Sequence, residues 1–309
     1  MSRYGIKAVA HLTVPGKLPS DADSKISVNP VDVGGVSGPE LDARLMQMTG
    51  KRFRKLGRFI QLAMCGAVEA VKKSKADFQP DRTGIFLASG LGNLSDLLPF
   101  SHSIFGDPGF HPSAIQFANS VGNAGAFHIA EALGVTAPVL ALCQDEVCFE
   151  AALLQVVTLL DSGDIDLGVV GSVDMVMPPV GDHLARMGYG REEAAARGLK
   201  LSEGSAWFVL GRPGPEDVAT LEALSLESLD ELPRLIDQLG PEGAIALCGA
   251  AELAFDGERF KRWDVGTLYT QAALAPCLFL AEPGKSGELL HVVSRTREGL
   301  TGRMTVRRA

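Results

Sequence analysis

Short apolar runs ending in glycine or polar turns alternate along this chain with stretches in which apolar residues return every third or fourth position. The runs Ile6–Val14, Thr83–Ser89 (TGIFLAS), Pro138–Leu142, Asp166–Gly171 (DLGVVG) and Ser205–Leu210 (SAWFVL) predict buried strands. Arg58–Ser74 predicts a helix, because Phe59, Ile60, Ala63, Met64, Ala67, Val68 and Val71 share one face. Gly125–Leu133, closed by Gly134, predicts a second helix, and Glu146–Leu160 a third whose lack of a clean polar face implies burial. Pro15–Pro39, rich in Pro, Gly, Ser and Asp, predicts surface loop.

A smaller block begins near Val218. It carries predicted strands at Leu221–Leu226, Ala244–Cys248, Glu288–Ser294 and Arg303–Arg307, with helices at Leu229–Leu239 and around Leu268–Leu280, the latter interrupted by Pro276. Consecutive apolar residues in strands joined by helices indicate an α/β fold whose sheet is covered on both faces. The two blocks repeat a strand–helix–strand rhythm with no low-complexity linker between them. The expected organisation is therefore two related halves, residues 1–212 and 213–309, packed as one unit.

Composition excludes more than it selects. The chain has 309 residues, 46% of them apolar, and 29 Lys and Arg against 37 Asp and Glu give a net charge of −8, which rules out a disordered or fibrous protein and a global field for nucleic acid. No apolar run reaches the roughly 18 residues that a membrane span needs. The start, Met-Ser-Arg-Tyr-Gly-Ile-Lys, lacks the apolar core of a secretory signal, and five scattered cysteines fit reduced thiols; a cytoplasmic protein is expected.

Several familiar motifs fail. Gly90-Leu-Gly-Asn-Leu-Ser follows a strand, as a dinucleotide fingerprint would, but Ser95 replaces the third glycine and Pro99 predicts an early helix break. A tight turn remains. The six histidines (11, 102, 111, 128, 183, 291) show no HxxxH spacing and Cys143 and Cys148 no CxxC spacing, so neither a structural metal nor a cofactor is expected.

Five segments, in order over about residues 40–212, resemble the β-ketoacyl-acyl-carrier-protein synthases (ketosynthases) of the thiolase-like superfamily. Lys55–Ala70 (KLGRFIQLAMCGAVEA) is similar to the family's early helix, and Gly84–Leu94 (GIFLASGLGNL) to its strand and glycine turn. Pro112–Ala126 (PSAIQFANSVGNAGA) resembles its P-x-x-x-x-N-x-x-x-x-A-G stretch, Gly163–Asp174 (GDIDLGVVGSVD) its G-x-x-D-x-x-x-x-G-x-x-[DE] strand, and Leu201–Leu210 (LSEGSAWFVL) its EGAG-type strand. The second half departs further. Ala246–Ala250 (ALCGA) and Thr267–Ala273 (TLYTQAA) stand where the family has its two histidine motifs, and Ser294–Arg308 follows the closing motif in outline.

The resemblance implies a layered αβαβα fold with a shortened second half, and it locates the chemistry. Condensation needs a thiolate to hold the acyl chain and two imidazoles to polarise the thioester carbonyl. The family's nucleophilic cysteine opens a buried helix, seventeen residues before the glycine matched by Gly163; here that residue is Glu146, with Cys143 three places early and Cys148 two places late. The imidazole positions fall on Cys248 and Tyr269. The Cys-His-His set is thus absent, as in the silent chain-length-factor subunits that pair with an active ketosynthase.

By the same resemblance, the basic stretch Lys51, Arg52, Arg54, Lys55 and Arg58 lies near the substrate entrance and meets an acidic acyl carrier protein; an ordinary solvated face is the plain alternative. Asn119 and Asn123 belong to a segment at the dimer interface and acyl pocket, while Phe117 and Phe127 read as core. The family dimerises across the strand matched by Pro138–Leu142. The resulting expectation is a non-catalytic ketosynthase-like subunit in a fatty-acid-like, polyketide or aryl-polyene pathway. Two alternatives stay open: an active enzyme using Cys148 or Cys143, and a homodimeric acyl-binding scaffold.

Overall fold

A computed structural model describes residues 3–15, 37–105, 111, 113–177, 184–187, 190, 192, 201–229, 231–249, 251, 255, 257–263, 269 and 271–309. The first half contributes strands β1 (Tyr4–Pro15), β2 (Thr83–Ser89), β3 (Val139–Cys143), β4 (Leu167–Asp174) and β5 (Ser202–Gly211). Its helices are α1 (Gly38–Thr49), α2 (Arg58–Lys73), α3 (Leu94–Phe105), α4 (Ala114–Ser120), α5 (Ala124–Leu133) and α6 (Cys148–Ser162). The second half adds β6 (Ala219–Ser228), α7 (Leu232–Gln238), β7 (Ala244–Gly249), α8 (Gln271–Ala281), β8 (Leu289–Arg295) and β9 (Leu300–Arg308).

The nine strands form one sheet in the order β3-β2-β4-β5-β1-β6-β9-β8-β7. The halves meet at an antiparallel seam where Tyr4–Ile6 pairs with Ala219–Leu221. Outward from it, β1-β5-β4-β2 and β6-β9-β8-β7 correspond strand for strand, with the same antiparallel, antiparallel and parallel pairings. Beyond this point the halves differ. β3 extends the first half in parallel with β2, whereas among the described residues beside β7 Phe260 forms a single parallel bridge, to Ile245.

Alternation along the strands explains the layers. In β2, Ile85 and Leu87 face an outer core with α1, α2 and α5, while Phe86 and Ala88 face the central core; β5 divides likewise, Trp207 and Val209 outward, Ala206, Phe208 and Leu210 inward. α6 packs on β2 and β4 and also on β6 and β9, and α8 packs on β7 and β8 and also on β1 and β5. Both helices therefore lie between the two half-sheets. α7 covers the outer side of the second half with Leu232, Leu235, Ile236 and Leu239 over Ile245, Leu247 and Val293. This is the thiolase-like αβαβα arrangement, and the prediction of a buried helix without a polar face is met by α6.

Three local expectations change. Of the stretch Pro15–Pro39 expected in loop, residues 16–36 lie outside the described residues, and at its end Ser37 caps α1: its side chain accepts from the Glu40 N–H and the Glu40 carboxylate accepts from the Ser37 N–H, with Pro39 in the first turn. Pro99 lies inside α3 instead of ending it, and Pro276 lies inside α8. The ladder has begun by Leu97, whose N–H donates to the Asn93 carbonyl, so Pro99 leaves one gap inside it, at the carbonyl of Ser95. Phe117 and Phe127, expected in the core, are 56% and 58% exposed, because α4 and the start of α5 present them away from the sheet. Among the described residues no helix is long and apolar enough to cross a membrane.

Candidate functional site

The parallel strands β2, β3 and β4 end together at Ser89, Cys143 and Asp174, and β7 and β8 end at Gly249 and Arg295. Between these two groups the chain leaves β3 through a 3-10 turn, Asp145–Val147, and enters α6 at Cys148. The helix thus begins two residues later than its apolar pattern predicts. Asp145 adopts φ +42°, a left-handed conformation costly for a residue with a side chain. This strained entry directs Glu146 inward, where it is 2% exposed.

Glu146 fills the space at the end of β7. A side chain on Gly249, whose φ is +64°, would bring its first carbon to 2.6 Å from the Glu146 Cγ, so only glycine admits both the backbone turn and the neighbour. The Glu146 Oε1 atom is sealed from solvent and has no hydrogen-bond partner among the described residues. Burial pushes its carboxyl up to about 7; its own backbone N–H opposes the shift, and the negative charges of Asp145 and Glu298 add to it. One turn further on, Glu150 is fully buried, accepts a 2.6 Å hydrogen bond from Ser294 on β8, and is likewise pushed up to about 7 by burial.

The opposite wall is the glycine turn after β2. The Asp174 carboxylate accepts from the Ser89 hydroxyl (3.0 Å) and the Gly90 N–H (2.9 Å), and the Ser89 hydroxyl oxygen accepts from the Gly92 N–H (2.9 Å). The expected tight turn is therefore pinned by β4. The missing side chain of Gly90 makes room for the ring of Tyr269, which is 1% exposed. Burial raises the Tyr269 phenol, and so do the charges of Glu146, Asp145 and Asp174, which places this ring within the field of the acidic group.

The three thiols divide: Cys143 borders this arrangement, and Cys148 and Cys248 stand apart from it. Cys148 is fully buried, and burial holds its thiol well above the ordinary range, with Asp174 and Glu150 adding to the shift. Cys143 is exposed at the end of β3 and donates to the Gly90 carbonyl (3.1 Å); burial of its sulfur, Asp174 and Asp145 raise its thiol too. Cys248, next to Gly249, is sealed in the central core with Cys148 and Phe149. The site therefore combines Glu146, Tyr269, Asp174 and Cys143, while Cys148 and Cys248 are core. Among the described residues no three His, Cys, Asp or Glu side chains converge as a metal-ligand set.

The basic stretch divides. Arg58 opens α2 and is paired with the buried Glu203, its Nε donating at 2.8 Å. Lys51, Arg52, Arg54 and Lys55 are exposed on the irregular connection before α2, not on a helix face. Asn119 ties that connection to α4 by donating to the Lys55 carbonyl (2.9 Å), and its own carbonyl accepts from Asn93 (2.6 Å). Asn123 is exposed at the N-cap of α5 without a side-chain cap bond. Four contributors went unread in the sequence: Ser89, Asp174, Gly249 and Glu150. Asp174 carried a signal as the acidic last position of the Gly163–Asp174 motif, and Glu150 as a carboxylate inside an otherwise apolar helix.

A family profile described as "Beta-ketoacyl synthase, N-terminal domain" matches residues 10–213. No curated protein matches the chain. Among solved structures, it is similar to the ishigamide ketosynthase/chain length factor (TM-score 0.72, 16% identity, 99% of each chain covered). It is also similar to a type II polyketide synthase acyl-carrier protein complex with its ketosynthase bound to a hexaketide (TM-score 0.62, 13% identity, 100% of this chain and 99% of that one). A third match is ketosynthase twelve of the bacillaene polyketide synthase of Bacillus amyloliquefaciens (TM-score 0.63, 12% identity, 99% of this chain and 73% of that one).

Proposed function

Because the chain belongs to the beta-ketoacyl synthase family, we propose that it is a non-condensing, chain-length-factor-type subunit that works beside an active ketosynthase on acyl chains carried by an acyl carrier protein. One observation carries this reading. At the strained entry to the central helix stands a buried carboxyl, Glu146, while burial and the charge of Asp174 raise both nearby thiols, Cys143 and Cys148, above the ordinary range. A carboxyl cannot take up an acyl chain as a stable thioester, and a tyrosine hydroxyl can offer a hydrogen bond but does not shuttle protons near neutral pH as an imidazole does.

The surroundings support a partner. β3 is an edge strand with Leu140 and Ala141 exposed, and the exposed Phe127 lies on the helix that packs against it. Such an edge offers unpaired backbone groups to a second strand. Lys51, Arg52, Arg54 and Lys55 give a local positive surface on a chain of net charge −8, suited to an acidic carrier protein.

The test is acylation followed by mass spectrometry. The purified chain is offered an acyl- or malonyl-carrier thioester, alone and with an intact ketosynthase from its own pathway. The expected result is no acyl adduct on this chain and condensation only in the mixture. An adduct lost in Cys148→Ala or Cys143→Ala would make the chain an active enzyme and overturn the proposal. A chain that ignores both carrier and ketosynthase would leave the scaffold reading.

A further inference from the structure

The turn that carries Glu146 inward is held against its own backbone preference. Asp145 sits at φ +42°, and Glu146 and Val147 complete a single 3-10 turn before α6 begins at Cys148. Two backbone bonds close this turn, from the Cys148 N–H to the Asp145 carbonyl and from the Val147 N–H to the Gln144 carbonyl (3.3 Å). The Glu146 side chain fills the niche beside Gly249, with Oε1 sealed and unmet among the described residues. A carboxyl so placed is tolerated while it carries its proton, and its ionised form calls for water or a cation.

The cations stand on the solvent side only. Asp145 is exposed, and so are Arg297 and Glu298 on the turn joining β8 to β9. Arg297 is tied there by a hydrogen bond from its Nη1 to the Ala185 carbonyl (2.9 Å), next to the exposed Arg186, whose charge acts on Asp145. The charge of Arg297 favours ionised Glu146, and those of Asp145 and Glu298 oppose it. Among the described residues no cation faces Glu146 from within. α6 offers Cys148 and Glu150, β7 ends on Cys248, and the far wall is Asp174 and Tyr269. α8 carries no charged residue over Gln271–Ala281, and β9 turns Gly302 and Met304 inward. Arg295, at the end of β8, points to the outer face, since its neighbour Ser294 bonds Glu150.

We propose that Asp145–Val147 is a proton-operated latch at the cleft between the two groups of strand ends. Neutral Glu146 keeps the turn shut against Gly249; when it gives its proton to water, the carboxylate leaves for the solvent side beside Arg297. Its departure frees Asp145 from the left-handed conformation and vacates the niche. Access to the inner end of the site then follows pH, whether or not the chain is a silent subunit.

Hydrogen exchange of the full chain from pH 5 to pH 8, read on peptides spanning residues 144–150 and corrected for the intrinsic rate, tests the latch. Release of one proton on opening makes the opening equilibrium rise by about tenfold per pH unit between the exposed value of 4.5 and about 7, then level off. The expected result is that rise in wild type and in Glu150→Gln, a flat response in Glu146→Gln, and no matching change in β2 and β4. Arg297→Gln is expected to lower the opening several-fold at pH 7, and Glu298→Gln to raise it. A wild-type response without pH dependence, one shared equally by β2 and β4, or one that survives in Glu146→Gln would overturn the latch. Should Glu146→Gln not fold, the two exposed variants decide: opposite shifts support the latch, and no shift or shifts of one sign refute it.

Discussion

Glu146 and Glu150 are two acids one helical turn apart, both inside the molecule and both with one oxygen unmet among the described residues. Their carboxyls titrate near pH 7 in the fold against about 4.5 when exposed. The folded chain therefore holds protons more tightly than the unfolded chain, and the linkage runs opposite to that of a salt-bridged carboxylate. Their contribution is intact below about pH 4.5, declines as pH rises, and is fully lost above about 7. For the wholly buried Glu150 the difference amounts to about 3 kcal/mol. Denaturant titrations of wild type and Glu150→Gln at pH 5 and pH 8 measure it. The variant, which cannot ionise, is expected to be the more stable of the two at pH 8 and to lose less stability between the two conditions. A wild type whose stability is flat across that range would show that these carboxyls are solvated.

At the scale of elements, the last residues of the chain hold the central helix α8. Arg308 donates from Nη1 to the carbonyls of Leu280 (3.3 Å) and Glu282 (3.0 Å) and from Nη2 to that of Phe279, and its guanidinium stacks 4.6 Å from the Phe279 ring centre. These are the carbonyls that a helix end leaves unmet. Arg308→Ala is expected to cost about 2–3 kcal/mol, read as a lower denaturation midpoint. Nothing in the sequence marks this cap, because its donor lies 26 residues or more from its acceptors. What was legible had a local cause. β2 runs over Thr83–Ser89 as its pattern predicts, and α2 ends one residue short of its predicted limit. α1 went unread although Ser37 and Glu40 spell a capping box, because the Pro- and Gly-rich stretch before it reads as loop. In the site, spacing located Glu146. The Gly249 niche, the Tyr269 ring on Gly90 and the bond from Ser294 to Glu150 arise only when the two halves meet.

The whole molecule is nearly two-fold symmetric, and its departure from symmetry decides how it can assemble. The two ends of the nine-stranded sheet are not equivalent: β3 ends one open, and at the other β7 is met by Phe260, with the Ile245 N–H bonding to Arg259 and the Lys261 N–H to Ile245 at 2.7 Å. A chain with two free edges could polymerise; with one edge free and the other partly occupied, pairing through β3 closes after two chains. Exposed Leu140, Phe127 and Phe117 sit on elements that pack against one another at that open end, so apolar burial would reinforce the backbone pairing there. Leu140→Glu places a charge at the centre of this edge while leaving the inner packing of β2 untouched. Light scattering after size exclusion is expected to report a two-chain species for the wild type, alone or with its ketosynthase, and a single chain for the variant, with the same far-ultraviolet circular dichroism. A variant that still pairs would move the interface away from β3, and a wild type that forms open-ended assemblies would mean that the bridge from Phe260 does not close the β7 edge.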